Sequence, residues 1–342
     1  MIETSSEELK RIRAELEQRL RSSADLGGVI VGPVVPFGDG HSGFTYAMTL
    51  TGDSGIRDCV LRLSPPGARS AGPADIGRQG CLIAKLGAEG IPVPAVIAFD
   101  SERTLMGRSF MLVDRVEGLG WAAAARERTH PEIAGEAVRV LRRLHAVPVG
   151  GAAACLGQAV GPRDELDRWR GLLERAAAAP GSAMLLRALE RTVPAATTPV
   201  VVHGDYHYGN LLFRDGEVVA VVDWELAGLG ERLVDVGSLV VASLRRRFAP
   251  EPNSAGDVHV GAAAVVGSYG DDSDEISWFV ALSCLKYAAI IGYNLRLHRS
   301  GRRIDPEYER LQGTIGGLLT AGADVLRDGL EAACLGTDVR AE

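Results

Sequence analysis

The chain has 342 residues, of which 46% are hydrophobic and 24% charged, and its formal net charge is −7. That composition suits a globular protein with a sizeable core, and the length fits roughly two domains or one bilobal unit. The acidic balance argues against a nucleic-acid backbone as partner, which needs a basic face. No apolar run approaches the roughly 20 residues of a membrane span. The longest candidate, Phe279 to Leu295, contains Lys286 and Asn294 and reads as a buried helix. Cys59, Cys81, Cys155, Cys284 and Cys334 are widely spaced and form no C-x-x-C. Reduced thiols, no disulfide frame and no structural zinc are therefore expected. The stretch from Met1 to Leu20 is charged and periodic, unlike a signal peptide, so the expectation is a soluble cytoplasmic protein.

Leu9, Ile12, Leu16 and Leu20 recur at helical spacing and predict a helix over residues 4–22. β-type runs follow at 29–35, 44–50 and 59–63, the last two joined by the turn-like Thr51-Gly52-Asp53-Ser54-Gly55. After a loop over 64–73, a helix is predicted from Asp75 to Glu89, stopped by Gly90 with Pro92 just beyond. Strands at 93–99 and 109–116 complete a small sheet. From about residue 118 the pattern changes to Ala-rich helices, predicted over 131–147, 164–179, 182–193, 233–247, 258–269, 275–298 and 306–333. Two β-type runs, Val200 to Val202 and Val218 to Val222, interrupt them. The fold class is α+β: a small β-rich lobe over 1–116 and a larger, mainly helical lobe over 117–342.

The most informative segment is Val200-Val-Val-His-Gly-Asp-Tyr-His-Tyr-Gly-Asn210. One apolar strand delivers Asp205 at its end, and Asn210 follows after four intervening residues. A second, Val218 to Val222, delivers Asp223 in Asp-Trp-Glu. Phosphoryl transfer from a nucleotide needs Mg²⁺ on hard oxygen ligands and a carboxylate beside the attacking hydroxyl. Asp205 fits the carboxylate, and Asn210 with Asp223 fits the metal ligands. Alone, D-x-x-x-x-N is common; between two apolar strands and with a third acid it is much more specific. A hairpin with ordinary polar turn residues is the bland alternative. A metallohydrolase cluster from His203, Asp205 and His207 is another, but no further His or Cys pair completes it.

Two segments upstream add to this. Gly38-Asp-Gly40-His-Ser-Gly43 matches G-x-G-x-x-G, which is weak by itself. A dinucleotide-binding fold would open a helix next, whereas Phe44 to Leu50 is β-type. That pattern fits a glycine-rich hairpin whose backbone amides approach phosphates, or a flexible surface hairpin. In Cys59-Val-Leu-Arg62 a cation stands where kinases carry a phosphate-binding lysine. Arginine offers a bidentate fork there; a solvated strand arginine is the alternative.

On these residues the sequence resembles the aminoglycoside phosphotransferase/choline kinase-like superfamily. It is most similar to the bacterial branch resembling kinase domains attached to acyl-CoA dehydrogenases. The carrying residues are His203-Gly-Asp-Tyr-His-Tyr-Gly-Asn-Leu-Leu212 and Val222-Asp-Trp-Glu through Val234-Asp-Val-Gly237, with weaker matches at Phe110 to Gly118 and Leu144 to Val147. The resemblance spans about residues 25–300. It implies a bilobal protein-kinase-like fold with ATP or GTP between the lobes, Mg²⁺ as cofactor, and transfer to a hydroxyl of a small molecule. Asp205 then matches the catalytic base, Asn210 and Asp223 the magnesium ligands, and Gly38, Gly40, Gly43 and Arg62 the phosphate contacts. Hinge backbone near Asp114 to Gly118, with Val113 and Arg115, would meet the nucleotide base. His203 and Asp235 match positions that brace the catalytic loop.

One departure stands out. The family helix usually carries a Glu to pair with the strand cation, and this chain has Gln79 after Arg78. Asp75, one turn earlier, could substitute. A non-catalytic nucleotide-binding relative is the main rival, against which the intact Asp205, Asn210 and Asp223 argue. Protein-kinase activity is disfavoured because helix resumes within about ten residues of Asp223, leaving no room for a long activation segment. The acceptor, an antibiotic or a hydroxylated metabolite, is not legible. Glu225, Asp271, Asp272 and Asp274 could meet an amine or simply be solvated.

Overall fold

The computed structural model describes residues 5–22, 26, 28–37, 44–53, 55–67, 75–176, 179–245, 248, 258, 260–271 and 273–334. Its chain divides into two compact units. The first comprises residues 1–117 together with 150–157 and 219–227. The second comprises 118–149, 158–218 and 228–342. The sequence reading placed everything after residue 116 with the helices, without these two excursions.

The first unit opens with α1 (Ser6–Arg21). Ser5 caps it by accepting from the Glu8 amide at 3.1 Å, acids fill the first turn, and arginines fill the last. Both features suit the helix dipole. Its buried stripe is the expected one, Ile12, Leu16 and Leu20. The strands are β1 (Ile30–Val31), β2 (Val35–Pro36), β3 (Thr45–Gly52), β4 (Gly55–Leu63), β5 (Val96–Leu105) and β6 (Arg108–Asp114). They form one antiparallel sheet in the order β1-β3-β4-β6-β5, with β2 also on β3. Alternating residues Tyr46, Met48 and Leu50 of β3 and Cys59, Leu61 and Leu63 of β4 enter the same core as the α1 stripe. Between β4 and β5 lies α2 (Ile76–Ala88), capped by Asp75, whose carboxylate accepts from the amides of Gly77 and Arg78. It lies very close to β5: a Cβ on Gly80 would sit 2.5 Å from the Phe99 Cβ.

The chain continues through β7 (Leu119–Gly120), α3 (Trp121–Ala124), α4 (His130–His145), α5 (Val149–Leu156), β8 (Ala159–Val160), α6 (Pro162–Glu174) and α7 (Ser182–Arg191). Then come β9 (Val200–Val202), β10 (Leu211–Arg214), β11 (Glu217–Val221), β12 (Gly228–Gly230), α8 (Leu233–Ser243) and α9 (Ala262–Tyr269). The last elements are α10 (Ile276–Arg299), α11 (Glu307–Arg310) and α12 (Gln312–Cys334). Thr129 and Glu132 form a capping box on α4, which buries Ile133, Ala137, Val140, Leu141 and Leu144. By length and composition α10 is apolar enough to cross a membrane, yet 72% of its apolar window is buried inside the fold, as in a core helix. The backbones of α8 and α10 nearly touch. A Cβ on Gly237 would lie 2.6 Å from the Phe279 carbonyl oxygen.

Two expectations are corrected. β9 is not hydrogen-bonded to β11: its antiparallel partner is β12, whose other neighbour is β8. The run Gly228-Leu-Gly230 has no strand-like composition, so that pairing has no local signal. The thiols are not all free either. Cys81 on α2 and Cys155 on α5 form a disulfide with their Cα atoms 6.0 Å apart, while Cys59 and Cys284 are free and buried. A separation of 74 residues carries no signal of proximity; only the packing of α5 on α2 creates it. That packing is reinforced by Lys85 Nζ donating to the Gly151 carbonyl and by Arg78 donating to the Leu156 carbonyl at 3.0 Å. These contacts are what draw residues 150–157 into the first unit.

Non-reducing peptide mapping is expected to recover a linked Cys81–Cys155 pair. Cys155→Ser should lower stability by about 2–4 kcal/mol in urea unfolding. Identical urea midpoints for wild type with and without reductant would contradict the linkage.

Candidate active site

The centre of the second unit is the loop that leaves β9. Its geometry is imposed by Asp235 at the start of α8, which is fully buried. The Asp235 carboxylate accepts from the backbone amides of His203 and Gly204, each at 2.8 Å. Gly204 makes the bend at φ 79°, a left-handed conformation that suits glycine. The remaining demand on Asp235 is met by His145 Nε2 at 3.1 Å, and His145 Nδ1 pairs with the Tyr269 hydroxyl at 2.8 Å. Burial, the largest single influence, raises the Asp235 carboxyl, but the hydrogen bonds and charges of His145 and His203 together outweigh it and the group sits below the usual carboxylate value. The loop is anchored on both sides by tyrosines. Tyr206 donates to the Ala137 carbonyl at 2.8 Å, and the Tyr208 hydroxyl pairs with Ser243 Oγ at 2.9 Å.

Between those anchors stands Asp205. Its Oδ1 accepts from Lys286 Nζ at 2.8 Å and from the Tyr287 hydroxyl at 2.9 Å. Its Oδ2 lies 3.5 Å from His207 Nε2. His207 Nδ1 accepts from the Gly209 amide at 3.0 Å, which places the ring proton of the neutral form on Nε2. Lys286 is 2% exposed, against 21% for the Asp205 side chain, and also donates to the Gly204 carbonyl at 2.6 Å. Desolvation by itself pushes the Asp205 carboxyl up; the Lys286 ammonium, and after it His207, hold it well below the usual carboxylate range. Tyr287 is pushed well above its ordinary value by burial and then by the Asp205 charge, so it remains a donor. The sequence reading registered Lys286 only as a break in an apolar run. The missed signal was that break itself: a lysine at the middle of a core helix needs a buried anion.

Asn210 closes a 3₁₀ turn, Tyr208–Asn210, and its Nδ2 donates to the Asp205 carbonyl at 3.0 Å. That bond leaves the amide oxygen as the atom able to meet a cation. So the structure brings Asp205 and Asn210 together, as expected from their spacing.

The predicted residues Arg62, Val113, Arg115 and Asp223 belong to the first unit. Arg62 on β4 faces Asp223 Oδ1 at 3.5 Å and Glu225 Oε2 at 3.9 Å. Asp223 follows β11 in a left-handed conformation, φ 65°, while Trp224 Nε1 fastens the turn by donating to the Val221 carbonyl at 2.9 Å. The Asp75 carboxylate caps α2, its Oδ1 accepting from the Gly77 amide at 2.9 Å and the Arg78 amide at 3.3 Å. Gln79 is buried at 1% exposure. Val113 pairs with Val60 and Val96 inside the sheet, and the Arg115 amide donates to the Asp58 carbonyl at 2.9 Å. Gly38, Gly40, Gly43 and Asp272 lie outside the described residues. The flanking strands β2 and β3 do pair antiparallel, with Val35 opposite Ala47. Asp271 is a buried structural acid, 2.6 Å from Arg232 and bonded to Ser273, rather than a solvated or amine-binding one.

No cluster of three His, Cys, Asp or Glu side chains able to hold a metal occurs among the described residues. Mg²⁺ does not require one, since it commonly takes one or two protein oxygens and completes its shell with phosphates and water. Asp223, with 43% of its side chain exposed, and the Asn210 amide oxygen are hard donors of that kind.

A curled antiparallel sheet with helices packed on it, and helices around a braced His-Gly-Asp loop, define a kinase-like phosphotransferase fold. The chain belongs to the APH phosphotransferase enzyme family, whose model matches residues 33–264. Acyl-CoA dehydrogenase family member 10 of Mus musculus is 28% identical over 225 residues, 62% of this chain and 20% of that protein. The aminoglycoside 3'-phosphotransferase of Escherichia coli is 30% identical over 117 residues, 29% of this chain and 39% of that one. The chain thus spans well under half the length of these curated relatives. A candidate aminoglycoside phosphotransferase of Ralstonia eutropha superposes with a TM-score of 0.70 at 20% identity, over 93% of this chain and 98% of that one.

Lys286→Met is expected to destabilise the protein at pH 7 by about 3–5 kcal/mol, because it leaves the Asp205 charge buried without its partner. The sign with pH follows from the lowered Asp205 value. In wild type its contribution is complete above the unfolded carboxylate pKa and fades only as pH falls through the depressed folded value. The gap between variant and wild type should therefore narrow on acidification. Urea unfolding at pH 7 and pH 4 measures it; a gap that widens would refute the pairing.

Proposed function

We propose that this chain is a kinase that moves the γ-phosphoryl group of a nucleoside triphosphate, ATP or GTP, onto a hydroxyl of a small molecule. The observation that carries the proposal is the state of Asp205. Its Oδ1 is fully engaged by Lys286 and Tyr287, whereas Oδ2 faces only His207 at 3.5 Å. An ionised carboxylate with one oxygen committed to positioning and the other turned to an imidazole is arranged to orient an acceptor hydroxyl.

In the reaction, the acceptor oxygen bonds to the γ-phosphorus as the bond to the β–γ bridging oxygen breaks. Asp205 takes the acceptor proton and the nucleoside diphosphate leaves. Such transfers depend mainly on positioning and charge neutralisation. Arg62 would contact the donor phosphates, and the Val113 to Arg115 backbone the base. Asn210 and Asp223 would hold Mg²⁺, which when bound neutralises charge on the phosphate oxygens. Family membership supports this reading, as do the ADP and AMP-PNP complexes among solved proteins of similar fold.

Asp205→Asn keeps the shape of the side chain but cannot accept the proton. Its turnover should fall by about 10²–10⁴-fold, with nucleotide affinity within about threefold of wild type. Coupled ADP release and calorimetric nucleotide binding read the two quantities. Near-normal turnover in this variant would remove Asp205 from the role.

A further inference from the structure

The second unit holds a cavity of about 240 Å³ whose wall includes His207, Tyr208 and Gly209 of the Asp205 loop. Tyr287, which donates to Asp205 Oδ1, lies in the same wall. Whatever occupies the cavity is therefore adjacent to the two side chains that flank the Asp205 carboxylate. The rest of the lining is chiefly apolar: Trp121, Val241, Phe248, Val258, Ile291 and Leu318. Among the described lining residues there is no carboxylate, and the permanent charge is the cation of Arg245.

That lining discriminates between occupants. A polyamine brought here would lose hydration from several ammonium groups and meet no described anion in the lining; each unpaired buried charge costs several kcal/mol. An apolar body gains instead, at roughly 25 cal/mol per Å² removed from water.

We propose that this cavity is the acceptor subsite, and that it takes a compact hydroxylated molecule with an apolar body and no cationic group. The proposal rests on the kinase reading for its role, though not for its existence as a binding site. The hydroxyl would lie at the His207 and Tyr287 end, toward Asp205, with the apolar body against α8, α10 and α12. On this reading a polycationic aminoglycoside is a poor acceptor.

The test measures binding in the absence of nucleotide. Octane-1,2-diol is titrated calorimetrically into the full chain, with kanamycin as the cationic comparison. Saturable binding of the diol is expected, weakened at least tenfold by Ala242→Phe and by Ile291→Trp, each of which fills the cavity from a different helix. Circular dichroism selects the variants that fold. Kanamycin should give no saturable heat and should not displace the diol. Saturable kanamycin binding that either folded variant abolishes would overturn the assignment, as would an absence of diol binding or diol binding that neither variant weakens. The two readings fail separately. Diol binding without ADP formation from any acceptor would leave the subsite and sink the kinase. Phosphorylation of kanamycin, unaffected by Ala242→Phe, would leave the kinase and sink the subsite.

Discussion

The second unit is organised around one buried ion pair. Lys286 lies at the middle of an otherwise apolar core helix, where an unpaired ammonium would not be tolerated. It is satisfied by the Asp205 carboxylate and the Gly204 carbonyl, both supplied by the loop after β9. Neither group could be held there without the other. The pair also explains the small residues around it. Gly237 lets α8 and α10 approach to backbone contact, and its neighbour Ser238 places a hydroxyl 3.3 Å from the ammonium. Asp235, a turn earlier in the same region, fixes the loop backbone from the other side. Two charges of opposite sign thus hold one short peptide, one gripping its amides and one its carbonyl and side chain.

What the sequence disclosed and what it withheld divide along this line. Local patterns were legible: the α1 stripe, the capping of α2 and α4, and the spacing of Asp205 and Asn210 all depend on neighbours within a few residues. The partners of those residues were not. Lys286 is 81 positions from Asp205, Cys155 is 74 from Cys81, and β12 completes a sheet with β9 from 26 residues beyond its end. Nothing in local periodicity encodes such distances. The long-range pairings could be inferred only as debts, a lysine in a core helix or a cysteine on a buried helix face that must find a counterpart. The resemblance to a known family supplied the fold class and the order of the motifs, but its motifs contain neither Lys286 nor the disulfide.

Net charge proved a poor guide to the pocket. The chain carries seven more acids than basic residues, which on its own invites a cationic substrate. Several acids are nonetheless committed to internal work. Asp235 binds loop amides, Asp271 holds Arg232, Glu231 accepts from Thr197, and Asp75 caps a helix. The described lining of the cavity beside Asp205 is chiefly apolar and holds no carboxylate, unlike what the whole-chain balance suggests. Local complementarity, rather than the total, governs what a desolvated pocket accepts.

The unusual Gln79 fits the same logic. An amide on α2 cannot pair with the strand arginine, and the neighbouring Asp75 is occupied by the helix end. Arg62 is nevertheless not left to solvent, since its two terminal nitrogens face Asp223 and Glu225, the first and last residues of Asp-Trp-Glu. A guanidinium can address two carboxylates at once with its planar fork, which a lysine in this position could not do equally well. Within the first unit, Arg62 and the Asp223 turn are thereby held by each other.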